Sequence, residues 1–435
     1  MPLGSVFLNA EKIRSSYMAI DRTWIDRWIE SINSDSASNN TGRDFNDSFT
    51  LDISGRRYTL TVVSGRIESV IEDGGPLAFS TFTLIAKEDV WQALFSPNPE
   101  PMNHALFAAI AVGNMQFEGN IRLVFQQMAT LSNWISAGRA LNGVTELPAD
   151  PPWRDEWQAV GRYTNVTVGE HRHKVFYFEA GEGIPVLCQH TAGNENRQWR
   201  HLLEDRELTK RYRFIAYDLP AHGKSDPPDG KDFFAEDHLL RSHWVTEFVV
   251  NLSDTLKLDK PIFMGCSIGG VIALHLAERY PEKFRALVAM AGAVPTYGFF
   301  HDWWIDPAMN TLMMQSGLID AVMAPNLAPS DRQINRMCQS GHPRSLRNDL
   351  HLWGVDNSDP DRATRIDPTK VPIYMYAGEY DFTCPPAHVE ASAKAIGPEV
   401  HYETLNGLGH FPMSENYDRF RPTLIKTLED IAKRT

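Results

Sequence analysis

Along the C-terminal two-thirds of the chain, short apolar runs alternate with longer segments that carry apolar residues at helical spacing. Pro185–His190, Arg213–Asp218, Ile262–Cys266, Ala286–Ala291 and Ile373–Ala377 read as buried strands, while Tyr163–Val168 and Lys174–Glu179 pair as a hairpin. Strands alternating with helices predict a mainly parallel sheet with helices on its faces, and such sheets bind ligands beyond the carboxyl ends of their strands. The first third reads differently. Ala10–Asn33 spaces Ile13, Met18, Ile20, Trp24, Ile25, Trp28, Ile29 and Ile32 as an amphipathic helix or helix pair, and the Ser- and Asn-rich Ser34–Thr41 reads as a flexible loop. Phe49–Ile53 and Tyr58–Val63 alternate as strands around a Ser54-Gly55 turn, followed by strands at Ile67–Ile71 and Ala78–Ile85. Helices at Lys87–Leu94 and Met102–Val112, a step at Gln116–Ile121 and an amphipathic helix at Arg122–Ile135 complete a small α+β module.

The two patterns meet at Leu147–Trp157, where Pro148, Pro151 and Pro152 mark a linker. A chain of 435 residues is long for a single core. The predicted organisation is therefore an α+β domain over residues 1–146, a linker over 147–157 and an α/β domain over 158–435. No apolar stretch is long enough to span a membrane, and Met1–Ala10 lacks the basic and apolar regions of a secretory signal. A net charge of −13 disfavours a nucleic-acid partner. The four cysteines, Cys188, Cys266, Cys338 and Cys384, are widely spaced, which fits free thiols in a reducing cytoplasm. Cys266 is expected to point into the core. No metal-binding or nucleotide-binding motif is present, so no metal and no cofactor is expected.

The chemistry centres on Gly265-Cys266-Ser267-Ile268-Gly269, which stands between an apolar strand and the helical run Gly270–Ala277 that Tyr280-Pro281 ends. A serine on so sharp a turn projects its hydroxyl above the sheet, and side chains two positions away would collide, hence the flanking glycines. A serine hydroxyl is a weak nucleophile at neutral pH and needs a base oriented by a carboxylate. Asp381, in Gly378-Glu379-Tyr380-Asp381 after a strand, and His410, in Asn406-Gly407-Leu408-Gly409-His410-Phe411 after the strand Val400–Leu405, follow in the order Ser, acid, His. Glu379 is a rival acid, two residues short. His401 within a strand and His388 within a helix are placed poorly to reach Ser267, and His275 in the helix after it reads as a core histidine.

With Asp218-Leu219-Pro220-Ala221-His222-Gly223-Lys224-Ser225 beside this turn, residues 158–435 resemble the α/β-hydrolase superfamily, with Ala221 in place of a usual glycine. The resemblance implies a structural rather than catalytic His222. It also implies an oxyanion hole formed by the backbone amides of Ile268 and of Ala192, the latter within His190-Thr191-Ala192-Gly193, where Thr191 replaces a usual glycine and is placed to add a hydroxyl. The insertion at about 293–370 takes the place of the helical cap. It is rich in Tyr297, Phe299, Phe300, Trp303, Trp304, Met309, Met313, Met314, Met323 and Trp353, which suggests an apolar pocket, with Trp303 and Met314 among its expected walls. Arg332, Arg336, Arg344 and Arg347 read as a solvated face, and Arg197 as the better polar contact for a substrate. In the first module, a strand set, the Val90-Trp91-x-x-Leu94 helix and Phe117-x-Gly119-Asn120 over roughly residues 45–137 resemble the sterol-carrier-protein-2-like fold, which implies an apolar tunnel. A small packed core serving dimerisation or shielding of the site is the other reading.

These residues predict a serine hydrolase acting through an acyl-enzyme on an ester or lactone of an apolar small molecule. Hydrolysis of a carbon-carbon bond in a diketone-like substrate, or of an amide or carbamate, uses the same groups. A lipid-binding protein without turnover is the alternative from another class.

Overall fold

Alternating apolar positions in the first third build a five-stranded sheet, and a computed structural model describes it together with the rest of residues 19–74, 78–143, 147–150, 158–230, 232, 235–306, 308–309, 311–338 and 344–434. Residues 10–18 of the expected first helix and 151–157 of the expected linker lie outside this set. The chain divides into two compact units, 1–145 and 146–435.

In the first unit, β1 (Asp47–Ile53), β2 (Arg56–Val63), β3 (Arg66–Glu72), β4 (Phe82–Ala86) and β5 (Met115–Gly119) lie in the order β3-β2-β1-β4-β5, with only β1 and β4 parallel. The helix Arg22–Ser34 buries Trp24, Ile25, Trp28 and Ile32 in one core with Phe45, Phe49, Phe82, Trp91, Phe95 and Trp134. Stacked rings lie there at centroid distances from 5.3 to 6.0 Å, and the Trp28 indole donates to the Trp134 carbonyl at 2.7 Å. Each such ring withdraws roughly 150–250 Å² from water, about 4–6 kcal/mol before entropy is counted.

Three local expectations for this unit are corrected. The supposed flexible loop contains a helix, Ser36–Gly42, because the Asp35 carboxylate caps it by accepting from the Ser38 amide at 2.7 Å. The helix expected over Arg122–Ile135 is two, Ile121–Gln126 and Met128–Asn142; they part at Gln127, whose backbone leaves the helical region (φ −96°, ψ 11°) while its side chain accepts from the Thr130 hydroxyl. Met102, at φ +68°, lies outside the next helix, which is confined to Leu106–Ala111.

The second unit carries β6 (Val160–Val168), β7 (His171–Ala180), β8 (Ile184–Gln189), β9 (Tyr212–Tyr217), β10 (Ile262–Cys266), β11 (Ala286–Met290), β12 (Ile373–Gly378) and β13 (His401–Leu405) in the order β13-β12-β11-β10-β8-β9-β7-β6. Six strands from β13 to β9 run parallel, and the hairpin β6-β7 closes the edge antiparallel. Central strands β10, β11 and β12 are buried throughout, as a sheet covered on both faces requires. The insertion after β11 is helical, with Thr311–Val322, Pro329–Met337 and Ser345–His351 as its helices. Among the described residues no helix is long and apolar enough to cross a membrane.

Candidate active site

Strand β10 ends at Cys266, and the helix Ile268–Arg279 starts one residue after Ser267. Ser267 therefore takes φ +59°, ψ −118°, a conformation that costs on the order of 1–3 kcal/mol and is held by its amide on the Met290 carbonyl at 2.9 Å. A Cβ at position 265 would lie 2.4 Å from the Gly269 carbonyl oxygen, and one at 269 would lie 2.9 Å from the Gln189 side chain. The glycines are thus required by contact. Ser267 is 7% exposed. The Ile268 amide opens the helix and belongs to its first turn, where amides lack intrahelical partners.

Beyond the ends of β12 and β13, Asp381 and His410 meet. Asp381 Oδ2 lies 2.6 Å from His410 Nδ1, and Oδ1 accepts from the Thr383 amide at 2.9 Å, the Thr383 hydroxyl at 2.7 Å and the Cys384 amide at 3.1 Å. Burial raises the Asp381 carboxyl, but the His410 charge and these donors outweigh it and leave the group below the usual carboxylate range. With Nδ1 facing Asp381, Nε2 is the His410 ring nitrogen left for another partner. The Cys266 thiol donates to the His410 carbonyl at 2.9 Å, so the residue beside Ser267 holds the histidine's own backbone. Cys266 thus serves the histidine loop as well as the core.

The loop after β8 has its amides engaged in turn. Thr191 N–H and Thr191 Oγ1 both donate to Gln198 Oε1, at 2.9 and 3.2 Å; Gly193 N–H donates to Asp349 Oδ2 at 2.8 Å; Asn194 N–H donates to the Thr191 carbonyl at 3.2 Å. Among the described residues the Ala192 amide takes no partner. The Thr191 hydroxyl, expected to face a substrate, is instead consumed by Gln198.

Other expectations are redirected. Arg197 turns to Glu195 and, at 3.4 Å, to the Met337 carbonyl, lining a cleft with Phe178, Arg200 and Lys224 that contains neither Ser267 nor His410. The four cap arginines are not a solvated face: Arg332 and Arg336 pair with Asp320, Arg344 with Asp237, and Arg347 with Asp237 and Asp302. Met314 is fully buried, whereas Trp303 is half-buried and stacked on Trp304 at 4.0 Å. The side chain of Met313 is outside the described set. Glu379 accepts from the Gly407 amide at 2.7 Å, and His388 bonds the Pro295 carbonyl at 2.8 Å. His275 is buried between Asn357 and Arg362, and burial followed by the arginine charges pushes it down to about 3. Ala221, in the place of a usual glycine, takes φ +62°.

Three residues that local patterns did not single out complete the arrangement. Thr383 holds Asp381 and lies 3.0 Å from His410 Nδ1; its signal was an aspartate followed two residues later by threonine. Glu415, wholly buried, accepts from the amides of Gly409 and, at 3.1 Å, Ala324, tying the histidine loop to the cap. Asp349 binds both Gly193 and His222. Among the described residues no group of three or more His, Cys, Asp or Glu is arranged to hold a metal ion.

Residues 184–346 match the family model of the alpha/beta hydrolase fold. The 2-hydroxy-6-oxononadienedioate/2-hydroxy-6-oxononatrienedioate hydrolase of Paraburkholderia phymatum is 24% identical over 288 residues, 62% of this chain and 96% of that protein. A 2-hydroxymuconate semialdehyde hydrolase of Pseudomonas sp. strain CF600 is 35% identical over 116 residues, 26% of this chain and 38% of that protein. The crystal structure of the enol-lactonase from Burkholderia xenovorans LB400 superposes with a TM-score of 0.52 at 19% identity, covering 62% of this chain and all of that one.

Proposed function

From a second unit that has the α/β-hydrolase fold, we propose that the chain is a serine hydrolase cleaving an ester or lactone of an apolar small molecule through an acyl-enzyme. The observation that carries this reading is the Asp381–His410 pair beyond β12 and β13, with Ser267 on the elbow of β10 and, among the described residues, the Ile268 and Ala192 amides without partners. Ser267 attacks the carbonyl as His410 Nε2 takes its proton, Asp381 stabilises the resulting imidazolium, and the Ile268 and Ala192 amides take the oxyanion. His410 then protonates the leaving oxygen. Water activated by the same nitrogen releases the acid. The density of large apolar residues in the insertion supports an apolar substrate.

A second reading, hydrolysis of a carbon-carbon bond in a diketone-like substrate, is supported by the names of the two hydrolase relatives. Product analysis over aryl esters, an enol lactone and a 2-hydroxy-6-oxo-dienoate separates them. Preference for ester or lactone supports the first reading; turnover of the dienoate alone moves the assignment to the second.

For the first unit, pairing of two copies is the role we favour over capture of an apolar molecule in a sterol-carrier-like tunnel, because stacked rings fill its core. Light scattering of a variant lacking residues 1–150 tests this. A monomer from a dimeric parent supports it, and an unchanged mass overturns it.

A further inference from the structure

The oxyanion loop is clamped on both sides of Ala192, and one clamp comes from the body while the other comes from the cap. On the body side, Gln198 holds the Thr191 amide. On the other, Asp349, 156 residues further along the chain in the cap helix Ser345–His351, accepts the Gly193 amide at 2.8 Å. The contact is close over the backbone too. Gly193 takes φ +60°, and a Cβ there would lie 2.9 Å from Leu346 Cα and 2.8 Å from Leu346 Cβ in the same cap helix.

Asp349 is itself held. The same carboxylate oxygen lies 2.9 Å from His222 Nε2, while His222 Nδ1 lies 3.0 Å from the Pro220 carbonyl. Both ring nitrogens face acceptors, and although burial lowers the His222 imidazole, the Asp349 charge and hydrogen bond outweigh it and raise the group above its ordinary value, which favours the doubly protonated ring. Neighbouring His190 does not compete for Asp349: its Nδ1 donates to the Thr191 carbonyl at 2.8 Å and its Nε2 accepts the Leu219 amide at 3.1 Å. Asp349 and His222 are 2% and 5% exposed, so the pair is not weakened by bulk water.

We propose that Asp349 is a positioning residue by which the docked cap sets the orientation of the Ala192 oxyanion donor. The peptide plane that carries the Ala192 N–H is held at its Thr191 carbonyl by His190 and Asn194, and the peptides on either side are held by Gln198 and Asp349. Releasing Gly193 frees one of them, and an oxyanion donor works only where it is held 2.7–3.1 Å from the developing charge. The cap therefore completes the catalytic geometry as well as covering it. This inference rests on the serine-hydrolase reading and deepens it.

The test uses the full-length chain with Asp349→Asn, Asp349→Ala and Gly193→Ala. Competent sites are first counted by fluorophosphonate titration, and kcat per labelled site is measured with p-nitrophenyl acetate, a substrate too small to depend on cap contacts. Loss on the order of 10- to 10²-fold in kcat, with KM within about threefold, is expected for Asp349→Ala and Gly193→Ala, whereas Asp349→Asn, whose amide oxygen still accepts from the Gly193 amide, should stay within about threefold of the parent. The inhibition constant of phenylboronic acid, whose adduct places an anionic oxygen in the same hole, should rise in proportion. A residue that only supports folding would lower the number of labelled sites or the melting temperature and leave kcat per site and boronate affinity unchanged. That outcome overturns the proposal. Gly193→Ala, which forces the loop off the cap helix without touching Asp349, keeps the test open should Asp349→Ala fail to fold. A wild-type chain that takes no label would overturn the serine-hydrolase reading, and this inference with it.

Discussion

Replacing Asp381 by asparagine changes one atom and should cost most of the activity, for a reason the hydrogen bonds dictate. Three donors converge on Oδ1, from Thr383 N, Thr383 Oγ1 and Cys384 N, while Oδ2 faces His410 Nδ1 alone. An asparagine with its amide nitrogen toward the three donors would lose three buried hydrogen bonds, at about 1–3 kcal/mol each. Its oxygen therefore stays on that side, and its NH2 faces Nδ1. Nδ1 must then act as acceptor, the ring proton moves to Nε2, and the nitrogen that should accept the Ser267 proton already carries one. A fall in kcat of about 10⁴, or about 5 kcal/mol of barrier, is expected. The assay is steady-state hydrolysis of p-nitrophenyl butyrate between pH 6 and 9, with thermal denaturation to verify the fold. Because Asp381 sits below the usual carboxylate range, its contribution to stability is present above the unfolded pKa of about 3.9 and is lost only as pH falls through the lower folded value. No inflection from Asp381 should appear in the assay window. Activity within tenfold of the parent would refute the reasoning and turn attention to Glu379, whose replacement by glutamine should otherwise change kcat less than threefold because its carboxylate is spent on Gly407.

Thr191→Val should leave kcat within about threefold, since the hydroxyl is bound to Gln198, and should cost about 1 kcal/mol in melting experiments; a hundredfold kinetic loss would return the hydroxyl to the oxyanion hole. Burial pushes Glu415 up to about 8, so the native state keeps a proton that the unfolded chain gives up near pH 4.5. The Glu415 contribution to stability is fullest below pH 4.5 and falls by up to about 1.4 kcal/mol per pH unit toward pH 8. Urea midpoints of Glu415→Gln should lack that slope, and equal slopes in both proteins would remove Glu415 as its source. Gly265→Ala forces a Cβ to 2.4 Å from a backbone oxygen, so at least about 1–3 kcal/mol should be lost, read as a lower melting temperature or as failure to fold; an unchanged melting temperature would contradict the contact.

How far the sequence could be read depended on how local each determinant is. The strand-turn-helix at Ser267 is written in consecutive residues, with glycines where a Cβ cannot fit, while Asp381 follows the buried strand β12 and His410 the half-buried strand β13, each on a short loop. What was misread depends on a distant partner or a single cap. Thr191 could not be seen as occupied without Gln198, seven residues on, and Arg347 could not be seen as paired without Asp237, 110 residues away. Asp349 is separated from Gly193 by the whole length between β8 and the last cap helix, so nothing in its own neighbourhood marks it. The helix at Ser36–Gly42 was hidden by residues of weak helical propensity, which the Asp35 cap outweighs.

An acyl-enzyme mechanism requires that Ser267 carry the acyl group during turnover. Rapid acid quench of the enzyme with p-nitrophenyl acetate, followed by intact-mass and peptide analysis, tests it most directly. One acetyl group per chain is expected on the peptide containing Ser267, formed in a burst and absent from Ser267→Ala. Turnover with no adduct, or with the acetyl group on another residue, would contradict it.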